Sequence, residues 1–499
     1  MTFVEYKMLN PFQRFAYNFK KFFKSIPGAF GRFFSACGRG IKKFILGIGK
    51  GFKNYGLTFV KGDWATKLSY LIFGVGDLHK GKTYKGILFF LVELLYALYM
   101  VFFGWYWFKD FFTLGTRETY TTYDDFGFPQ VHAGDESMKI LLYSTLTIVI
   151  SVIVFIVYIA NIKDAYRHQI MRQNGEKPTT LKQDAQEFLD GKYHITLLSF
   201  PVLMIGIFNI LPLIFMILIA FTNYSKEHFT LFDWVGLQNF GQLFDVINSN
   251  KKATTFMGIA GWTLIWAIVA TFSNYILGMV VALMINKKGI KLKSLWRTLF
   301  VITIAVPQFV SLLLMNQMLQ ENGAVNILLG HLFNGGESMG IKFLTDDVWT
   351  ARITVMVVNC WVGIPYTILS MSGILMNIPE DLYESARIDG ASPVKTFTAI
   401  TLPYMIFVTT PQLITQFVGN INNFNVIFLL SGGGPSTTEY FGAGKTDILV
   451  TWLYNLSMGN EQDYGLASAI GILVFIICAT LSLIVYNNSK SMKDEEAFS

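Results

Sequence analysis

Eight apolar stretches constrain this chain more than any other feature of its sequence. A transmembrane helix needs about 17–25 predominantly apolar residues to cross the ~30 Å hydrocarbon core of a bilayer. Stretches of that length lie at 86–108, 140–160, 195–222, 258–285, 298–319, 353–376, 403–430 and 466–486. Charged residues make up only 15% of the 499-residue chain, whereas soluble domains average about 25%. The sequence therefore predicts an all-α polytopic membrane protein with about eight transmembrane helices.

Basic residues are divided unequally between the two sides of the predicted membrane. With eight spans both termini share one side, and the segments on that side hold 31 of the 40 Lys and Arg residues. The short loop 286–297, with five of them, is the most informative, because short loops dominate the positive-inside rule. We therefore expect both termini in the cytoplasm. We assign the net charge of +7 to topology and anionic lipid head groups, not to nucleic acid.

The first 85 residues are predicted to form a cytoplasmic basic region. Apolar residues recur there at steps of three and four, with basic residues between them, which is typical of amphipathic helices on a membrane surface. No small-residue cleavage site follows a short apolar core, so a signal peptide is not expected. An organellar transit peptide and a membrane-sensing regulatory arm are the alternatives. The residues concerned are Phe12, Phe15, Phe19, Phe22, Ile26, Phe30 and Phe33, with Lys20, Lys21, Lys24 and Arg32.

Neither metal nor nucleotide binding is indicated by the sequence. The three cysteines are scattered and form no C-x-x-C pair, and the six histidines are isolated, so no metal site is expected. Gly444-Lys445-Thr446 looks like the end of a P-loop, but Glu439 stands where that motif requires glycine. We therefore expect no cofactor bound by this chain.

The loop after the sixth span has the pattern of a helix–turn–helix. Pro379 suits a first helical position, and the acidic residues after it complement the positive end of the helix dipole. Gly390 can adopt the left-handed conformation that ends a helix. Ser392 and Pro393 then suit the cap and first position of a second helix. Such a pair on a cytoplasmic face is a docking shape, although an ordinary solvated loop is the alternative.

The same loop resembles the EAA loop of binding-protein-dependent ABC importers. That motif has E-A-A, three residues, glycine, nine residues and I-x-L-P; here Ser385 departs from it. In that family the loop lies in a cleft of the ATPase subunit and transmits its closure. The resemblance therefore implies a coupling role for Glu384, Ser385, Ala386, Asp389 and Gly390, within an EAA loop at 377–403 that ends in Ile400, Leu402 and Pro403.

The resemblance covers residues 195–487 and is closest to the maltose/maltodextrin (MalF-like) permease subunits. It rests on Phe221 to Tyr224, Val235 to Phe240, Ser431 to Pro435 and Gln462 to Ala467. It implies a six-helix ABC-importer core at 195–487, preceded by two extra transmembrane helices at 86–194 and followed by a cytoplasmic tail at 488–499. The protein would then be a multi-pass component of a bacterial plasma membrane. The family's large outer domain is absent, because the loop 223–257 is too short for it.

The resemblance also implies partners. These are a second homologous permease subunit, two copies of an ABC ATPase subunit on the cytoplasmic side, an extracellular sugar-binding protein, membrane lipids and an oligosaccharide substrate. ATP and magnesium would be used by the partner ATPase, so this chain would be a transport subunit without catalytic residues, not an enzyme. The mechanism expected from the family is alternating access, and the expected function is the import of maltose or maltodextrins.

Three amides in the seventh span indicate a polar cavity. Gln416, Asn420 and Asn423 follow each other at steps of four and three, which places them on one helix face. Neutral amides inside a membrane usually face a bundle interior or cavity, although hydrogen bonds between helices without a ligand are the alternative. The resemblance implies that all three bind sugar, together with Val362, Gly363 and Tyr366 on the sixth span. On the fifth span the family's site tyrosine and serine fall on Ile304 and Gln308.

Two other classes of function are weighed against a permease subunit. An ion-coupled secondary sugar transporter normally needs a buried carboxylate or histidine relay. Glu93 is the single acid within the predicted spans, and we expect it to be a helix–helix hydrogen-bond partner. A membrane enzyme such as a polysaccharide synthase would need clustered acids or histidines at a membrane face, and the sequence contains no such cluster.

Overall fold

The computed structural model describes residues 45–488, except Asp125, 177–178, 246–249 and Lys288, together with a few isolated positions between 28 and 43. The amphipathic pattern predicted for Phe12 to Phe33 lies outside the described residues, and so does the tail from residue 489. Within the described part, the residues at 45–61 are helical.

Helices dominate the remainder of the chain. In order they are α1 Trp64–Leu68, α2 Val75–His79, α3 Thr83–Phe108, α4 Ser137–Gln173, α5 Leu181–Leu189, α6 Tyr193–Ile219, α7 Gln238–Phe244, α8 Lys251–Asn286, α9 Lys293–Ala305, α10 Gln308–Met318, α11 Ala324–Phe333, α12 Val348–Met376, α13 Glu380–Ile388, α14 Pro393–Ile421, α15 Phe424–Val426, α16 Leu449–Met458 and α17 Tyr464–Asn488. A π-helical turn, Ile427–Ser431, follows α15. Within the described residues two strands, β1 Tyr120–Tyr123 and β2 Pro129–His132, form one antiparallel hairpin.

The prediction of an all-α membrane protein with about eight spans is confirmed. Seven helices in the described part are long and apolar enough to cross a bilayer, and a bent helix pair brings the number to eight. Each of them overlaps one of the predicted stretches. Several extend well beyond the apolar stretch that revealed them, and α4 has 37 residues where the stretch has 21.

The fifth predicted span is bent rather than straight. It consists of α9 and α10, which meet at an angle of 86° around Val306 and Pro307. Both of these residues have extended backbone angles, with ψ near 124° and 129°. Proline favours such a break because it cannot donate to the preceding turn and disfavours helix in the residue before it.

The seventh span also differs from its prediction. It was expected at 403–430, but the helix α14 starts at Pro393 and ends at Ile421. Asn422 is the C-cap of α14, and Asn423 is the N-cap of the short helix α15. The earlier start follows from Ser392, whose side chain accepts from the backbone N–H of Lys395 and begins a helix that runs directly into the membrane.

One compact unit comprises residues 37–239 and 463–469. In it, the end of α4 beyond residue 160 carries polar residues that bind α1 and α2. Asp77 and His168 are buried with 2.6 Å between Oδ1 and Nδ1, and Lys80 Nζ donates to the carbonyl of Ala165 in α4 at 2.8 Å. Buried charges need such partners. Pairing therefore explains why α4 continues through a segment that hydropathy excludes from the membrane.

Glu93 lies in the same unit and accepts a hydrogen bond from the backbone N–H of Phe73 at 2.8 Å. Its partner therefore belongs to the segment between α1 and α2, not to a second transmembrane helix as expected. The division of the chain into domains at 85, 194 and 487 remains a prediction, and we note that α6 groups with this unit.

Among the described residues, the second compact unit comprises chiefly 240–462 and 470–488. Its apolar interior is built around α8, α12 and α14, with Trp262, Trp266 and Val355 among its fully or almost fully buried side chains. A second cluster includes Tyr275, Met371 and Met405. These three helices therefore form the frame that positions the predicted sugar-binding residues.

A loop at 432–448 contains a buried acid. Asp447 is 2% exposed, and its Oδ2 accepts from the backbone N–H of Gly444 at 2.8 Å and from the side chain of Asn455 at 3.2 Å. Burial raises the pKa of Asp447 from its ordinary value of 3.8 to about 6. The loop is thus held by a carboxylate that is costly to ionise.

Candidate functional site

The predicted helix–turn–helix is present between α13 and α14. Gly390 ends α13 with a φ of +69°, and Asp389 is the residue at the helix end. The backbone N–H of Ala391 donates to the carbonyl of Ala386, and that of Gly390 donates to Arg387, which is the Schellman pattern. Pro379 was predicted as the first helical residue, but its extended ψ of 131° makes it the cap instead.

The side chains of α13 divide into an anchored and a free face. Tyr383 is half-buried, and its hydroxyl lies 3.0 Å from that of Thr401 at the start of the membrane-embedded part of α14. Glu384 and Ser385 are exposed, and within the described part of the chain the Glu384 carboxylate has no partner. Ile388, 86% exposed, leaves an apolar side chain uncovered beside it. The loop therefore presents a carboxylate and an apolar side chain on a rigid base.

The amides predicted to bind sugar are brought together only in part. The side chain of Asn423 donates to Asn359 Oδ1 at 3.3 Å and to Asn420 Oδ1 at 3.4 Å. The side chain of Asn420 donates to Thr271 Oγ1 at 2.9 Å, and the backbone carbonyl of Asn420 accepts from the indole N–H of Trp266 at 3.0 Å. Asn423 reaches the cluster from beyond the end of α14, so the expectation of one continuous helix face was wrong.

Buried polar atoms without partners lie beside these amides. Among the described residues, Asn359 Nδ2 and Asn274 Oδ1 are buried and make no hydrogen bond. Asn274 lies against Gly363, where an added Cβ would be 2.5 Å from its Nδ2. Asn359, one turn before Gly363 on α12, offers an unpaired donor, and Asn274 on α8 offers an unpaired acceptor. Because buried polar groups normally have partners, these two atoms can bind a hydroxyl group or a water.

The remaining predicted residues lie outside this hydrogen-bonded cluster. Tyr366 is 49% exposed and shares the face of α12 with Asn359 and Gly363, at steps of four and three. Val362 packs against the apolar core instead. Gln416 is half-buried, and its amide has no partner within the described residues. Gln308 accepts from the side chain of Asn425 at 3.5 Å, just after the bend between α9 and α10.

Sequence reasoning missed Asn359, Asn274 and Thr271. Asn359 is 5% exposed and Asn274 is 8% exposed, each in a long apolar helix. A single amide in an apolar run has no periodic partner in its own segment, whereas the three amides at 416–423 form a visible pattern. Intramembrane polar residues on any span are the signal that would have found them.

Residues 274–494 match the family model of the inner membrane component of binding-protein-dependent transport systems. The maltodextrin permease MdxF and the galactooligosaccharide permease GanP, both of Bacillus subtilis, are each 34% identical to this chain, over 434 and 436 residues. Both alignments cover 85% of this chain, with 95% of MdxF and 97% of GanP.

Other matches cover a smaller part of the chain. The maltose/maltodextrin permease MalF of Escherichia coli is 36% identical over 257 residues, which are 50% of this chain and 48% of that protein. A solved bacterial ABC transporter for import of the acidic polysaccharide alginate superposes with a TM-score of 0.51 at 22% identity, over 63% of this chain and 99% of that chain. That likeness concerns the fold alone.

Proposed function

Since the chain belongs to the family of inner membrane components of binding-protein-dependent transport systems, we propose that it is the permease subunit of an ATP-driven importer of oligosaccharides. The observation that carries this proposal is the α13–α14 loop, which combines the family's sequence pattern with an exposed, rigid helix pair. The relatives similar over most of the chain carry maltodextrins or galactooligosaccharides by name. Maltodextrin is the substrate that we favour.

The amide cluster suits a neutral, hydroxyl-rich ligand. Asn359, Asn420 and Asn423 supply donors and acceptors without a formal charge, and Tyr366 supplies an aromatic surface on the same face of α12. Their present hydrogen bonds to each other and to Thr271 also fit the alternative of helix–helix contacts alone. A sugar would replace the Asn423–Asn359 contact, and the unpaired atoms of Asn359 and Asn274 would then gain partners.

The mechanism that we propose is alternating access. An external binding protein delivers the sugar to a mouth formed by this chain and a second, homologous permease subunit. Closure of two ATPase subunits around ATP is transmitted through Glu384, Ser385, Ala386, Asp389 and Gly390. Because Tyr383 joins α13 to the start of α14, a force on the loop reaches the helix that carries Gln416 and Asn420.

Cofactor requirements follow from that division of labour. ATP and magnesium are bound by the partner ATPase, which hydrolyses the ATP, and this chain performs no covalent chemistry. An ion-coupled transporter, the alternative function, would need no such partner. Glu93 offers it little support, because its carboxylate is bonded to the backbone of Phe73.

Reconstitution tests both the substrate and the energy source. The chain, its second permease, ATPase and binding protein are placed in liposomes, and uptake of radiolabelled maltotriose is measured with and without internal ATP. We expect ATP-dependent uptake that unlabelled maltodextrins compete more strongly than galactooligosaccharides do. Uptake by the purified chain alone, driven by a proton or sodium gradient, would refute the importer assignment. Stronger competition by galactooligosaccharides would change only the substrate.

A further inference from the structure

A groove with a volume of about 370 Å³ runs along the outward-predicted half of α3 and the middle of α4. It belongs to no sugar-binding or coupling residue discussed above. Its wall is formed by the side chains of Tyr96, Met100, Trp105, Phe108, Thr147, Ile148, Ser151, Val152 and Phe155. The volume lies within the range of small-molecule sites, about 300–1,000 Å³.

Irregular helix geometry shapes the groove. Residues Met100–Gly104 of α3 form a π-helical turn, a feature frequent at functional sites. Gly104 is buried at that turn, and a Cβ there would lie 2.7 Å from Met100 Sδ and 3.2 Å from Thr147 Cγ2. The two helices therefore meet closely at Gly104, and the larger side chains around it enclose the groove.

The hydroxyl groups in the wall are all hydrogen-bonded within the protein. The hydroxyl of Ser151 donates to the carbonyl of Thr147 at 2.6 Å, so that Tyr96 donates to Ser151 at 2.8 Å. The hydroxyl of Thr147 likewise donates to Tyr143 and receives from Tyr99. No donor in these pairs is left for a polar ligand, so the groove selects an apolar occupant and not a sugar.

Its position and length match one leaflet of a bilayer. Tyr96 lies at the middle of α3 and Phe108 at its end, and twelve residues of helix rise about 18 Å. Half of a ~30 Å hydrocarbon core is about 15 Å. Trp105, which is 59% exposed, and Lys109, which is 47% exposed, lie at the end where head groups are expected. Aromatic and basic residues favour that level of a membrane.

We propose that this groove is a binding site for one acyl chain of a membrane phospholipid, with the head group beside Trp105 and Lys109. The lipid would fill a surface that the two helices leave concave, and it would remain attached when the bulk bilayer is removed. Such a lipid would be a structural component of the two extra spans, independent of the sugar pathway.

The test uses the full-length protein in vesicles that contain phosphatidylglycerol with a diazirine in the middle of one acyl chain. The protein is extracted into mild detergent, separated from free lipid and only then illuminated, so that loosely bordering lipid has gone. We expect covalent label within residues 147–155, identified by mass spectrometry of peptides.

Two matched variants sharpen the result. Val152 lines the groove and Ile153 does not, although they are 53% and 55% exposed on the same helix. Val152→Trp fills the groove and should lose the label, whereas Ile153→Trp should keep it. Equal labelling of the two variants, or an absence of label in the wild-type protein, would overturn the proposal. So would a cross-link from a photoreactive residue at 152 to a partner subunit, because a protein helix would then cover the groove.

Discussion

The side-chain amide of Asn423, just beyond the end of α14, donates to Asn359 in the middle of α12 at 3.3 Å. This contact joins the break in the seventh span to the sixth span, at a level where Asn420 also reaches α8 through Thr271. Three helices that apolar packing already holds together are therefore linked by a polar layer. A layer of this kind is where a sugar can exchange hydrogen bonds with the protein.

Asn420→Leu tests that layer directly. We expect it to lower sugar uptake about tenfold or more, because an unpaired partner costs about 1–3 kcal/mol and each 1.4 kcal/mol is a factor of ten. Asn422→Leu is the control, since the Asn422 side chain bonds Val418 and approaches Cys478 instead. Uptake and complex assembly are both measured. Equal effects on uptake, or loss of assembly with Asn420→Leu, would assign these amides a structural role.

Gly363→Ala tests the space at the site. The added Cβ would lie 2.5 Å from Asn274 Nδ2, so the amide must move. We expect a raised KM for sugar with little change in the amount of protein in the membrane. Gly373→Ala on the same helix is the control, because a Cβ there meets nothing within 4 Å. Similar kinetics for the two variants would contradict a site at Gly363.

Glu384→Ala tests coupling. We expect transport to be lost and the ATPase subunits to dissociate more easily in detergent, while the protein still reaches the membrane. Asp381→Ala removes a carboxylate from the first turn of the same helix and should leave transport largely intact. Gly390→Ala should weaken coupling less than Glu384→Ala does, because a left-handed alanine costs about 1–2 kcal/mol. Normal ATP-driven uptake by the Glu384 variant would remove this residue from the coupling path.

Cysteine labelling tests the orientation derived from charge. In a background without the native cysteines, Thr119→Cys and Thr438→Cys should react with an impermeant thiol reagent from outside the cell, since both positions are exposed. Lys395→Cys, also exposed, should react only after the membrane is opened. Labelling of Lys395→Cys in intact cells would reverse the predicted orientation.

The acid in the 432–448 loop predicts a pH dependence of stability. The pKa of Asp447 is about 6 in the folded protein against an ordinary 3.8, so the folded state holds the proton more tightly. The free energy of unfolding should therefore fall as pH rises from about 4 to about 6 and level off above that. A difference of this size corresponds to about 3 kcal/mol. Melting temperatures in detergent should show this trend for the wild type and a flatter one for Asp447→Asn; identical profiles would contradict it.

The sequence was sufficient for the number of spans because apolar length is a direct requirement of the bilayer. It was insufficient for where helices end. Helix α4 continues past residue 160 because Asp77 and His168 pair inside the protein, and hydropathy counts such residues only as polar. Likewise, a proline at 307 signals a disturbance, but tertiary packing decides between a slight kink and an 86° bend.

The candidate site was predictable where a residue's role depends on its neighbours in the same segment. Gly390 and Ser392 have local signals, since a left-handed turn and a helix cap depend on neighbouring residues. Asn359 has no such signal. Its role depends on Asn423, 64 residues away along the chain, and on a helix break that places Asn423 against α12.

The bent crossing has a further consequence for the surrounding bilayer. Helices α9 and α10 contain 13 and 11 residues, about 20 and 17 Å of helix. Joined at 86°, the two helices reach about 26 Å from end to end before the two extended residues between them are added, which is close to the ~30 Å hydrocarbon core. This crossing therefore has no helix to spare, and in a thicker membrane the bilayer would thin beside it or neighbouring protein would shield its ends. Thickness of the host membrane thus becomes a variable that acts on the segment carrying Gln308.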